Sequence, residues 1–350
     1  MSTSARRLNL GLQNYSGFYL LALFIVIFGI WKPDLFLTSA TLHSVASSQA
    51  VSAMLALALL IPLTAGVYDL SVGAVVNVST VTVVQLQTKH HVGMWSAMLL
   101  TVAFCAAIGA TSGFIVVKLR VNSFVATLGM ATIVSAVQTM ISNQSQPYPP
   151  TQKSWYDLTQ RNVLGFQIIV LYLLMLALVV WWVLDHTPAG RYLYAIGGNH
   201  EAARLTGLAV GRWSWLSLIA SGAICGVAGI LYASLSGPSL TFGQSLLLPA
   251  FAAVFLGSTQ IKPGRFNVWG TMLAVYVLAT GVQGLQFVTG VQWLNDMFNG
   301  VALVSAVAFA GWRQSRASRR GLESGVVEAA ARDSRGIADS SGGDLQAAPV

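Results

Sequence analysis

"WSWLSLIASGAICGVAGILYASL", residues 213–235, contains no charged side chain and lies in a longer gap, since no Asp, Glu, Lys or Arg occurs between Arg212 and Lys262. About 20 consecutive apolar residues suffice to cross the hydrocarbon of a bilayer as a helix. Comparable gaps run from Asp34 to Asp69, from Arg120 to Lys153 and from Arg265 to Asp296. Hydrocarbon offers backbone groups no water, so such runs must be helices or a closed barrel. They are continuous rather than alternating, which excludes the barrel. Of the 350 residues, 55% are hydrophobic and 9% charged, against about 25% charged in soluble domains. The fold class is therefore an all-α polytopic membrane protein.

Hydropathy places ten crossings at 15–31, 46–66, 71–88, 93–117, 122–142, 166–184, 213–235, 246–259, 267–288 and 294–312. Pro249 is expected to make the short eighth run irregular. With the N-terminus inside, the cytoplasmic side collects Arg6, Arg7, Lys118, Arg120, Arg191, Arg204, Arg212, Lys262, Arg265, Arg313, Arg316, Arg319 and Arg320. The outside keeps Lys32, Lys89, Lys153 and Arg161. That asymmetry follows the positive-inside rule and favours an even number of crossings, with both termini cytoplasmic. The net charge of +8 is thus a topology signal, and no nucleic-acid partner is implied. The chain divides into a cytoplasmic segment 1–14, a transmembrane domain 15–312 containing a cytoplasmic loop 185–212, and a tail 313–350. The tail, rich in Gly, Ala, Ser and Asp, is expected to be disordered. Residues 143–162 form the longest outer loop, where Tyr148, Trp155 and Tyr156 are expected to be interfacial anchors.

Energy-coupling and catalytic chemistry are missing from this pattern. No Gly-Lys-Ser or Gly-Lys-Thr occurs, so a phosphate-cradling loop is absent. Ion-coupled carriers hold ionisable groups at membrane depth, yet only Asp69 and Asp296 approach the spans, both near their ends. The five histidines fall at span ends or in loops, no catalytic set emerges, and His90–His91 in an outer turn is not a metal site. Cys105 and Cys225 lie within spans without ligand spacing and act as small apolar residues. The chain binds no cofactor of its own on this pattern.

"YAIGGNHEAARLTGL", residues 194–208, interrupts the apolar chain with a short polar helix. Asn199 is placed to cap it, Glu201 sits at the positive end of its dipole, Arg204 lies in its last turn, and Gly207 closes it. Ala202, Leu205 and Leu208 give a small apolar stripe. About two turns of helix are not stable alone, so the element must dock, either on its own membrane domain or on a partner.

The passage "TPAGRYLYAIGGNHEAARLTGLAVGRW", residues 187–213, resembles the cytoplasmic loop of permease subunits of bacterial ABC importers for simple sugars, the ribose-type permease family. "AGVYDLSVGAVV", residues 65–76, is similar to the family's Gly-x-Asp-Leu-Ser-Val-Gly segment, with Tyr68 interposed. "VNSFVATLGM", residues 121–130, is similar to its span-opening segment. The likeness runs in order from about residue 45 to 312. It implies a non-catalytic subunit of the bacterial inner membrane, paired with a second permease copy or paralogue. An ATP-binding subunit would hydrolyse ATP, and an extracytoplasmic solute-binding protein would deliver solute. Asn199, His200, Glu201, Ala202, Ala203, Arg204, Leu205 and Gly207 would then form the coupling helix that seats in the ATPase. Residues 244–271 depart from the family, with Leu-Leu-Pro in place of an acidic residue and Ser258 and Pro263 in place of glycines. Related permeases carry nucleosides, furanose autoinducers or branched-chain amino acids; the Gly-Gly-Asn resembles the sugar branch.

Asp69 has two readings, a cap for the following helix or part of a broken helix facing the solute pathway with Ser71. Asn77, Gln138 and Gln283, with Thr80 and Gln85, suit either a hydrophilic route or interhelical hydrogen bonding. Gly109/Gly113 and Gly222/Gly226 are Gly-x-x-x-Gly pairs that permit close helix contact. The principal rival reading is a self-contained secondary carrier or channel, with 199–207 packed internally. An intramembrane enzyme or scaffold is a third.

Overall fold

The computed structural model describes residues 16–163, 165–291 and 293–308. The expected segment 1–14 and tail 313–350 lie outside these. The regular elements of the described chain are helices apart from one small hairpin, β1 (Asn162–Val163) and β2 (Phe166–Gln167). Six helices are long and apolar enough to cross a membrane. They are the joined pair α3 (Ser39–Ser48) and α4 (Ala50–Thr64), then α6 (Met94–Val117), α7 (Ser123–Ser142), α9 (Ile168–His186), α12 (Val210–Ser236) and α14 (Val268–Thr289). Shorter apolar helices are α1 (Ser16–Trp31), α5 (Val72–Thr88) and α13 (Phe242–Gly257). A further helix, α15, covers 293–308. The remaining elements are α2 (Pro33–Phe36), α8 (Lys153–Gln160), α10 (Pro188–Gly198) and α11 (His200–Leu205).

Two spans differ from the hydropathy reading for local reasons. The span expected at 46–66 begins at Ser39, because the Thr38 hydroxyl accepts the Thr41 amide at 3.2 Å and caps an earlier start. The span expected at 246–259 begins at Phe242, and Pro249 lies inside that helix.

Every residue of α4 is buried, and α12, α13, α9, α14 and α10 pack around it. The most extensive helix pair is α6 with α12, and Gly109 and Gly222, one from each Gly-x-x-x-Gly pair, allow it. Gly109 faces the Leu218 carbonyl, and an added Cβ on Gly222 would lie 2.5 Å from the Cys105 carbonyl oxygen. Between lipid-bathed helices there is no hydrophobic driving force, so such close backbone approach, with its dispersion contacts, holds the pair together. Cys105 and Cys225 are buried at this contact as free thiols.

The loop 143–162 is more ordered than its composition suggests. Trp155, expected as an interfacial anchor, is fully buried, while Tyr148 is 88% exposed. The Ser234 hydroxyl donates to the Trp155 carbonyl at 2.6 Å, and Thr159 and Ser234 share a 2.8 Å hydrogen bond. These bonds clamp α8 onto the end of α12.

Candidate functional site

Pro188 cannot continue α9, and its fixed φ opens α10 instead. The inner face of α10 buries Gly190, Leu193 and Ile196. At its end Gly197 lies directly over the Thr64 carbonyl, where a Cβ would collide. Asn199 then turns extended, with φ −157° and ψ 107°. Its Oδ1 accepts the Ala202 amide at 2.9 Å, which caps α11. At the other end Leu208 N donates to Ala203 O at 3.2 Å and Gly207 N to Arg204 O at 3.0 Å. With Gly207 at φ +82°, this is a complete Schellman closure.

Burial divides α11 into two faces. Ala203 is 5% exposed and Leu208 packs against the core. His200, Glu201, Ala202 and Arg204 face outward, and Leu205 is 85% exposed. Of the stripe expected from the sequence, only Leu208 turns inward; Ala202 and Leu205 point away with the charges. Neither Glu201 nor Arg204 has an ion-pair partner among the described residues.

A second set of contacts ties this connector to the turn between α13 and α14. Asp185 pairs with Lys262 at 2.6 Å and Arg265 at 3.6 Å. The Arg265 guanidinium stacks 3.6 Å above the Tyr194 ring, and the Tyr194 hydroxyl donates to Phe266 O at 2.6 Å. Burial pushes the Tyr194 phenol above its ordinary pKa, and the nearby Arg265 charge only partly opposes this. The hydroxyl therefore stays a donor. Asp185 and Lys262 are 77 residues apart, so no local spacing announces them; the assignment of loop 185–212 and of Lys262 to the same side was the available signal.

Beside α11 lies the break between α4 and α5. Gly66 turns at φ +75°, close to the His200 ring. Asp69 is 3% exposed. Its Oδ1 accepts the Ser71 amide at 3.1 Å and the Ser71 hydroxyl at 2.6 Å, while Oδ2 accepts the Ser221 hydroxyl at 2.8 Å. Asp69 thus makes a local turn and also holds the break against α12. The irregular backbone is satisfied from α7: Tyr68 N donates to Ser123 Oγ at 3.2 Å and Leu70 N to Thr127 Oγ1 at 3.0 Å. The sequence segments 65–76 and 121–130 therefore meet, and 187–213 lies against the first of them. Ser123, Thr127 and Ser221 escaped the sequence reading because isolated hydroxyls in spans carry no signal of their own.

Asn77 and Gln138 lie farther along α5 and α7, away from the break. Asn77 Oδ1 accepts Gly243 N at 2.6 Å and its Nδ2 donates to Leu240 O at 3.1 Å. Gln138 Nε2 donates to the same Leu240 carbonyl at 3.0 Å, and Thr80 Oγ1 donates to Ser239 O at 2.9 Å. These groups order the 237–241 loop between α12 and α13. Gln283 is half-buried on α14 and shares no hydrogen bond with them.

A family model described as "Branched-chain amino acid transport system / permease component" matches residues 41–307. The chain belongs to this permease family. The ribose import permease of Escherichia coli (strain K12) is 31% identical, over 82% of this chain and 90% of that relative. The fructose import permease of Rhizobium meliloti is 28% identical over 83% of each. The autoinducer 2 import system permease of Enterobacter sp. (strain 638) is 32% identical over 83% of this chain and 84% of its own. No solved structure matches the chain significantly. This permease is thus a multi-pass membrane protein of a transport system, and the paired connectors at one end are its candidate site.

Proposed function

We propose that this permease is the transmembrane subunit of an ATP-driven importer of a simple sugar, a monosaccharide such as ribose, in the bacterial inner membrane. It crosses ten times with both termini cytoplasmic: α3–α4 forms one span, and α1, α5, α13 and α15 complete the six longer ones. The observation that carries the reading is α11. It is a short helix, capped at both ends, whose charged face and Leu205 point outward while Ala203 anchors it inward. That face fits a groove on a separate ATP-binding subunit, which hydrolyses the ATP. Relatives whose names specify ribose, allose and fructose support a sugar as the solute.

In this mechanism the partner's closure displaces α11 as a rigid body. The Gly197–Thr64 contact passes the displacement to the end of α4, and the Asp185–Lys262 pair passes it to the α13–α14 turn. A solute-binding protein docks at the opposite end, near 143–167, and a second permease copy or paralogue completes the pathway. The test is co-purification of the tagged chain from its native membrane, with and without Glu201→Arg. An ATP-binding subunit accompanying the native chain and lost from the variant is the expected result. Solute flux by the native chain alone in ATP-free vesicles would establish a self-contained carrier instead.

A further inference from the structure

Between α9 and α12 the outer flank opens into a groove of about 300 Å³. Its walls include Val180 and Leu184 of α9 and Leu216, Ala220 and Ile224 of α12, and Ile61 of α4 forms the floor. Leu193 of α10 closes the end next to the connector. The one hydroxyl in the lining, Ser217, already donates to Ser214 O at 2.7 Å. A polar solute would find no partner here. A helix, about 10 Å across, is too wide to enter. One extended hydrocarbon chain is not.

Length and charge point the same way. From Trp213 to Ile224 the groove wall rises about 17 Å, close to the roughly 15 Å depth of one leaflet. At the connector end Trp213 packs its ring 5.2 Å from Tyr192, the level where aromatics meet headgroups. Arg212 precedes Trp213 and shares the helix face of Leu216 four residues on. It is exposed and has no ion-pair partner among the described residues. Asp185, near the same end, is already engaged by Lys262 and Arg265. We propose that this groove holds one acyl chain of an anionic phospholipid whose phosphate sits at Arg212.

The test is native mass spectrometry of the full chain, released from nanodiscs containing equal phosphatidylglycerol and phosphatidylcholine. The wild type should retain one phospholipid, with phosphatidylglycerol enriched about fivefold, the preference one basic side chain near the surface supplies. Ala220→Trp should abolish retention without changing the melting temperature; if it fails to fold, Leu216→Trp at the exposed rim replaces it. Arg212→Gln should keep a lipid and lose the enrichment. A wild type without lipid, a filled groove that still retains it, or enrichment unchanged in Arg212→Gln would overturn the assignment. So would loss of a second permease copy, rather than of lipid, on filling the groove.

Discussion

Asp69 is a carboxylate enclosed by hydroxyls and one amide, without a basic neighbour among its hydrogen-bond partners. An asparagine can keep the Ser71 bonds through its carbonyl and meet Ser221 with its amide. Asp69→Asn is therefore expected to fold and to keep most transport, whereas Asp69→Ala strands three donors and should cost about 3 kcal/mol. Thermal melting in detergent, with solute uptake alongside, checks both; a folded Asp69→Asn without transport would move Asp69 from the cap to the solute route. Glycines give a second contrast. Gly109→Ala places a methyl against the Leu218 carbonyl, while Gly129 has nothing within 4 Å of an added Cβ. The first should destabilise by about 1–3 kcal/mol through overpacking and the second should be neutral, as read from melting temperatures and yield.

At the level of elements, α11 was the most legible. Asn199 as cap, Glu201 and Arg204 at opposite ends and Gly207 as closure each follow from local chemistry, and each stands where the spacing put it. Asn199→Ala should cost about 1 kcal/mol and speed amide exchange across 200–205 without altering exchange in α12. The face that α11 buries was not legible, because a three-residue step among Ala202, Leu205 and Leu208 ignores the wall it meets. The glycine pairs told a similar story. Their spacing announced close contact, but only the fold shows that Gly109 meets Gly222, with Gly113 against Trp215 and Gly226 against Cys105. Trp155 misled for a general reason: an aromatic in an outer loop marks an interface unless a hydroxyl such as Ser234 draws its backbone down onto a helix end.

Among the described residues the chain sorts its polar connectors to two ends, with 65–71, 185–209 and 258–267 at one and 143–163 with 237–241 at the other. The Asp185–Lys262 pair spans two connectors of the first end, and Lys262 is 47% exposed. Such a pair adds little stability. Asp185→Asn should thus leave melting nearly unchanged while lowering solute moved per ATP hydrolysed, measured with the whole complex in vesicles. The enclosed α4 leads to a different expectation. By hydropathy it is a bilayer segment like α6 or α9, yet of its residues only Ile61, at the floor of the groove, faces an opening. A photoreactive probe dissolved in the lipid should therefore tag peptides from α6 and α9 heavily and leave residues 50–60 blank, so that an apolar stretch of the chain behaves, to the membrane around it, as if it were not there.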